Sequence, residues 1–126
     1  MINRIKTNKA PRAIGAYSQG VLSNNLVFTS GQIGIVPETG ELIRGNFEKE
    51  VLKVLNNVSA VLEAGGSSIK SAIKLTVFLT DLSKFKIVND VFIEFFNEKY
   101  PARSAVEVSG LPLNANIEIE AIGETL

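Results

Sequence analysis

Residues 100–120 read Tyr100-Pro-Ala-Arg-Ser-Ala-Val-Glu-Val-Ser-Gly-Leu-Pro-Leu-Asn-Ala-Asn-Ile-Glu-Ile-Glu120, the pattern of two β-strands joined by a loop rich in Gly, Pro and Asn. Because side chains alternate across a strand, Arg103 shares a face with Ala105, and Glu118 points away from the face of Ile117. On neighbouring strands, this guanidinium and carboxylate could bind a small anion and position a water molecule. They could also form an ordinary cross-strand ion pair, and the pattern alone favours the ion pair.

The composition indicates one folded domain without a nucleic-acid partner. The chain has 126 residues, of which 45% are hydrophobic, enough to bury a substantial core. Its 13 basic residues balance its 13 acidic residues, so we expect no nucleic-acid partner. No apolar stretch approaches the length that spans a membrane, and Met1-Ile-Asn-Arg lacks the apolar run of a signal peptide. A cytoplasmic protein without a membrane partner is therefore expected.

The absence of two residue types restricts the chemistry. The chain has no His and no Cys, which excludes disulfides, thiol nucleophiles, Ser-His-Asp triads and histidine general bases. Aspartate is restricted to Asp81 and Asp90, so we expect no carboxylate cage for a hard metal ion. Any reaction must use Arg, Lys, Glu, Tyr, Ser, Thr, Asn and backbone groups.

The first half of the chain begins with β-structure. We expect an edge strand at Ile2–Thr7 and a hairpin of Ser18–Leu22 with Leu26–Ile33, joined by an Asn-Asn turn. The second hairpin strand contains Ser30 and Gly31. A glycine inside a strand indicates a bulge more often than a binding site, although the Ser30 hydroxyl and the Gly31 amide could form a small anion-binding notch.

A long helix follows the hairpin. Apolar residues at helical spacing predict a helix over Phe47–Ala64, capped by Asn46 and ended by Gly65-Gly66. Glu48 and Glu50 fall in its first turn, where acidic residues favour the helix dipole. Nothing on this helix indicates chemistry, and we interpret it as core.

A strand and a second helix precede the opening stretch. The strand Ile73–Thr80 alternates, and its odd-numbered residues are expected to face the helices. The second helix ends before Pro101, and Asn89 lies off its apolar stripe, where an exposed polar residue is the usual explanation. That stripe consists of Val88, Val91, Phe92, Phe95 and Phe96.

The element order β-β-α-β-α-β-β predicts an α+β sandwich, in which two helices pack on one face of a mixed sheet. The other face is then too apolar for water, because it is expected to carry Phe78, Ala105 and Ile122 among Thr76, Arg103 and Glu118. A symmetric partner is the natural cover for such a face. We therefore expect an oligomer with clefts between its subunits.

Four segments carry a family resemblance that covers almost the whole chain. The sequence resembles the RidA (YjgF) family of enamine/imine deaminases in Ala13-Ile-Gly-Ala-Tyr-Ser-Gln-Gly20, Phe28-Thr-Ser-Gly-Gln-Ile33, Pro101-Ala-Arg-Ser-Ala-Val-Glu-Val108 and Ile117-Glu-Ile-Glu-Ala-Ile122. The resemblance implies a chorismate-mutase-like α+β fold and a homotrimer with three sites at subunit interfaces. It also implies hydrolysis of 2-imino acids derived from 2-aminoacrylate and 2-aminocrotonate to 2-oxo acids and ammonia, without metal or cofactor.

The resemblance also assigns roles to individual residues. Arg103 matches an arginine that grips the substrate carboxylate, and Glu118 matches the acidic residue that holds or activates the attacking water. Tyr17 matches a tyrosine that closes the pocket from the neighbouring subunit. Ser30 and Gly31 match a notch that contacts the substrate.

Three further positions complete the comparison with the family. Asn89 matches a pocket residue on the second helix. Ala105 stands in the pocket where many members have cysteine, and Ala16 stands where many have proline. Alanine also occurs at the first of these positions, so the thiol is dispensable for hydrolysis, whereas Ala16 is expected to loosen the loop that presents Tyr17.

Two other functions remain open at this point. A regulatory trimer would bind a 2-oxo acid or another small carboxylate in the same cleft without turning it over. An endoribonuclease or translation inhibitor, a label also attached to the family, is disfavoured because the chain has no His and no net charge.

Overall fold

A mixed sheet of six strands carries two α-helices on one face in the computed structural model, which describes residues 1–126. The strands are β1 Ile2–Ile5, β2 Gly20–Ser23, β3 Leu26–Thr29, β4 Ala72–Leu79, β5 Ala102–Glu107 and β6 Ile117–Glu124, and the helices are α1 Phe47–Ala64 and α2 Phe85–Phe96. The order across the sheet is β1-β2-β3-β6-β4-β5, in which only β4 and β5 run parallel. The predicted α+β class and its mixed sheet are confirmed.

The bounds of α1 agree with the prediction because local signals determine both of its ends. The Asn46 side chain accepts a hydrogen bond of 3.0 Å from the Lys49 N–H, as an N-cap residue does. At the other end Gly66 has a φ of +89°, a conformation that favours glycine. No helix of the fold combines the length and apolar character that crossing a bilayer requires.

The core lies between the sheet and the helices. Helix α1 contacts β3 and β6, and α2 packs against α1. Valine, leucine and isoleucine side chains dominate the buried cluster, whose fully enclosed members include Val27, Val54, Leu55, Val58, Leu62, Leu75, Leu79, Ile117 and Ile119. Because both helices occupy one side of the sheet, the second side is left without a cover.

Several strand predictions were wrong at their ends. Strand β1 was expected to reach Thr7 and ends at Ile5, and β2 was expected to begin at Ser18 and begins at Gly20. Ile73 was expected to face the helices but is 48% exposed, because the pairing of β4 with β6 shifts register between Ala72 and Lys74. Strand β3 was expected to reach Ile33 and ends at Thr29. Beyond it, pairing with β6 resumes only as a single bridge from Gln32 to Ile119.

The interruption after β3 is a bulge, as the Ser30-Gly31 pair predicted. Phe28 pairs with Ile122, and Gln32 pairs with Ile119. Between these two pairs, the segment from Phe28 to Gln32 advances four residues while β6 advances three, which leaves one extra residue on the β3 side. The bulge brings Gly31 onto β6.

The expected adjacency of the last two strands was wrong. The strands β5 and β6 lie on either side of β4 and do not pair with each other. Arg103 is level with Leu75, a buried residue on the helix side of β4, and Glu118 is level with Phe78 on the opposite side. Arg103 and Ala105 therefore lie on the helix side of the sheet and not on its open face.

A buried carboxylate fixes the start of β6. Glu50 is 1% exposed, and its two oxygens accept hydrogen bonds of 2.9 Å each from the backbone N–H and the side-chain amide of Asn116. Glu50 therefore does more than favour the helix dipole, because it holds the residue that precedes β6.

Replacing Glu50 with Ala should lower the free energy of unfolding by about 1–3 kcal/mol, because it removes the partner of two donors at Asn116. Urea unfolding of the purified protein measures this change. Glu48→Ala is the matched control, since Glu48 is an exposed acid in the same helical turn. Equal losses for the two variants would show that the helix dipole accounts for the effect.

Candidate active site

Arg103 rests on an aromatic platform at the edge of the sheet. Its guanidinium carbon lies 4.7 Å from the ring centroid of Phe85 and 5.0 Å from that of Phe92, both on α2. These distances are within the range of cation–π attraction. The platform orients the guanidinium from below and leaves its N–H groups free to bind an external group.

Arg103 has no charge partner within the chain. The only ion pair of the structure joins Lys86 and Asp90, and no hydrogen bond from the Arg103 side chain is formed. Burial lowers the pKa of the Arg103 guanidinium, but arginine remains protonated near neutral pH. A half-buried cation without a counter-charge is a suitable receptor for an anion such as a carboxylate.

Asn89 and Ala105 lie beside this cation. Asn89 follows Phe85 by one helical turn and precedes Phe92 by three residues, so the three side chains share a face of α2. Asn89 is half-buried and not exposed as its position off the stripe suggested. Ala105 is half-buried against the core on the same face of β5 as Arg103. We call this group the arginine side.

Glu118 occupies the other face of the sheet. It is half-buried, and its pKa is raised, first by burial and then by the neighbouring charge of Glu120. Gly31 lies directly against it, since a Cβ atom at Gly31 would overlap Glu118 Oε2 and lie 2.7 Å from its Cδ. A side chain at position 31 would force this carboxylate to move, and we call the group the glutamate side.

Ser30 connects the glutamate side to the loop that bears Tyr17. Its hydroxyl donates a hydrogen bond of 2.6 Å to the Ser18 carbonyl, and its N–H donates one of 2.8 Å to the Gln19 carbonyl. The neighbouring Gly31 N–H has no partner in the chain. In the predicted notch, the Gly31 N–H is therefore the donor that is free to bind a ligand. The hydroxyl and N–H of Ser30 are already used to hold the loop.

Tyr17 lies apart from both charged residues. Its side chain is 50% exposed, and its N–H donates a hydrogen bond of 3.0 Å to the Gly15 carbonyl. The tyrosine is therefore presented at the surface by a tight turn.

The structure gathers the predicted residues into two groups and does not join them. The sheet separates Arg103, with Asn89 and Ala105, from Glu118, with Gly31. The alternative of an Arg103–Glu118 ion pair is wrong for the same reason. A small molecule cannot touch both charged groups of one chain. Each chain therefore carries the two halves of the predicted site, the arginine side and the glutamate side, in two separate places.

Sequence reasoning missed the aromatic platform. Phe92 was interpreted only as core, and Phe85 was not considered. The available signal was the spacing of Phe85, Asn89 and Phe92 at i, i+4 and i+7, which places a polar residue between two aromatic rings on one helix face.

The fold and these two groups together describe a small α+β protein. Its candidate site offers Arg, Glu and backbone N–H groups for chemistry, and the chain has no His or Cys. A family model described as Endoribonuclease L-PSP matches residues 7–125. The chain belongs to this family, which is also known as the RidA (YjgF) family.

Named relatives agree with this assignment. The chain is 42% identical over 118 residues to a human protein named 2-iminobutanoate/2-iminopropanoate deaminase, covering 94% of this chain and 86% of the human one. It is 46% identical to the chloroplastic Reactive Intermediate Deaminase A of Arabidopsis thaliana, covering 94% of this chain and 63% of that one. The crystal structure of E. coli TdcF with bound serine superimposes with a TM-score of 0.93 at 45% identity, covering 98% and 99% of the two chains.

The pKa of Glu118 should lie above the usual range of a glutamate and should fall in Glu120→Gln, because removing a like charge favours the ionised form. Carboxyl-carbon NMR titration measures this pKa. Glu124→Gln, at an exposed position at the end of the same strand, is the control and should leave it unchanged. An ordinary Glu118 pKa in the unmodified protein would contradict the described burial.

Proposed function

We propose that this protein is an enamine/imine deaminase, which hydrolyses 2-imino acids derived from 2-aminoacrylate or 2-aminocrotonate to 2-oxo acids and ammonia. The observation that carries the proposal is the unpaired, half-buried Arg103 on its aromatic platform. A planar guanidinium offers two parallel donors to a carboxylate, the one group common to all these substrates. The human relative named 2-iminobutanoate/2-iminopropanoate deaminase and the Arabidopsis relative named Reactive Intermediate Deaminase A support the same reaction.

The proposed reaction requires that the substrate be held in position and that one side chain accept and donate protons. The enamine tautomerises to the imine, and Arg103 holds its carboxylate. Glu118 accepts a proton from the water molecule that adds to the C=N carbon. It gives that proton to the nitrogen to form a carbinolamine. It then removes the hydroxyl proton and passes it to the amino group as the C–N bond breaks, so that ammonia leaves and the C=O bond of the 2-oxo acid forms. The raised pKa of Glu118 suits this exchange, because it lies nearer to neutral pH than that of an ordinary glutamate.

The positions of the two groups support a homotrimer with shared sites. Arg103 and Glu118 lie on opposite faces of the sheet, so they can act on one molecule only if different copies supply them. The open face has no cover within the chain and exposes apolar side chains, including Phe28 and Val106 at 40% and 44%. In the proposed trimer, the open face of one subunit packs against the β5 edge of the next, so that each interface joins the arginine side of one subunit to the glutamate side of the other.

The other predicted residues have supporting roles in this proposal. Asn89 and Ala105 form the wall beside the substrate carboxylate, and Gly31 supplies its free N–H to the substrate. Tyr17 closes the pocket from the neighbouring subunit, and Ser30 holds the loop behind it. The TdcF structure contains bound serine, an amino acid whose carboxylate is the group that Arg103 would bind here.

Arg103→Ala should reduce kcat/KM for imine hydrolysis roughly 10- to 150-fold, the equivalent of about 1.5–3 kcal/mol for hydrogen bonds to a charged group. The imine is generated in situ by a pyridoxal-phosphate dehydratase, and its disappearance is followed with and without the protein. Arg44→Ala is the control, because Arg44 is an exposed arginine that bonds only to the Leu113 carbonyl. Full activity of Arg103→Ala would exclude this arginine from the site.

Mixing two impaired variants tests whether the site is shared. Arg103→Ala and Glu118→Ala are each expected to retain only a small fraction of the activity, but mixed trimers of the two should restore about one quarter of the sites, since some interfaces combine an intact Arg103 with an intact Glu118. The rate is measured after the variants are unfolded and refolded together, and each variant refolded alone is the control. No recovery in trimers proven to be mixed would place both residues in one subunit's site.

A non-catalytic regulatory trimer is the second candidate, because Arg103 would bind a 2-oxo acid equally well without turnover. The same assay separates the two functions: saturable 2-oxo acid binding without any acceleration of imine decay would favour the regulator. The ribonuclease name of the family model is a weaker candidate here, since the chain lacks His and net charge.

A further inference from the structure

One cleft of the molecule contains neither Arg103 nor Glu118. It has a volume of about 920 Å³ and lies between β1 and the loop that follows it, with Tyr17 and Ser18 on one wall. Three of its lining residues are cationic, namely Arg4, Lys6 and Arg12, and none is acidic. This concentration of positive charge is local, because the whole chain has equal numbers of acidic and basic residues.

The three cations are free to bind a ligand. None of them takes part in an ion pair, as the single ion pair of the structure lies on α2. None donates a side-chain hydrogen bond, and all three side chains are exposed. Because Ile5 is buried against the core, strand alternation directs its neighbours Arg4 and Lys6 to the opposite side together.

A buried amide fixes the loop that presents Arg12. The Gln19 side chain is 3% exposed. Its oxygen accepts a hydrogen bond of 2.7 Å from the Thr7 N–H, and its nitrogen donates bonds of 3.0 and 2.8 Å to the carbonyls of Thr7 and Pro11. The wall of the cleft is therefore formed before any ligand arrives, which reduces the entropy lost on binding.

We propose that this cleft is a second binding site, for a small polyanion that carries phosphoryl groups. Two guanidinium forks and one ammonium exceed what a single carboxylate can engage, whereas linked phosphoryl groups offer several charged oxygens to several donors at once. The proposal commits to a small molecule because the three cations line a single cleft, whereas a nucleic-acid backbone is bound along an extended positive stripe.

Binding of inorganic pyrophosphate to the full-length protein tests this assignment. We expect a saturable rise in Tm and a saturable heat in calorimetry, at an ionic strength held constant with sodium chloride. The triple variant Arg4→Gln/Lys6→Gln/Arg12→Gln should bind at least about tenfold more weakly, since it removes every charged donor of the cleft. Chloride alone matching the effect of pyrophosphate would overturn the proposal.

Two further proteins complete the test. Lys49→Gln/Lys70→Gln/Lys99→Gln removes the same charge at exposed positions outside the cleft and should bind pyrophosphate as the unmodified protein does. Arg103→Ala should also bind it normally. An equal loss in the lysine variant would indicate general electrostatic attraction, and a loss in Arg103→Ala would place the anion at the proposed active site. Tighter binding of a short RNA oligonucleotide than of pyrophosphate would assign the cleft to nucleic acid instead.

Discussion

The position of β4 between β5 and β6 is the constraint on which the arrangement of functional groups depends. Each pair of level residues on these strands shares a face, so the buried Leu75 commits Arg103 to the helix side and Phe78 commits Glu118 to the open side. A shift of one residue in either pairing would exchange those faces. The core of leucine, valine and isoleucine therefore determines the face of the sheet on which each charged group lies.

Helix α1 contributes to the glutamate side through two polar residues in an otherwise apolar interface. Glu50 holds Asn116 at the start of β6, and the Asn57 amide donates hydrogen bonds of 3.1 and 2.8 Å to the carbonyls of Ile33 and Ile35. One helix thus anchors the segments on both sides of the contact between Gly31 and Glu118. Buried polar groups with complete hydrogen bonding restrict geometry more narrowly than apolar packing does.

The sequence was sufficient for features that depend on neighbouring residues. The ends of α1, the bulge at Ser30-Gly31 and the common face of Arg103 and Ala105 follow from caps, turn residues and alternation. Their relation to Glu118 did not follow, because alternation is a property of one strand, whereas the relative faces of two strands depend on which strand lies between them. The irregular pairing that exposes Ile73 could not be predicted from the sequence for the same reason, because it depends on how β4 pairs with β6.

The close contact of Gly31 with Glu118 means that two positions far apart in the chain occupy one volume. The space that a side chain would fill at residue 31 is filled by the carboxylate of residue 118. A substitution that enlarges the first position can be accommodated only if the second becomes shorter or turns away. The two positions are therefore coupled sterically, and a larger residue at position 31 is expected to require a compensating substitution at position 118.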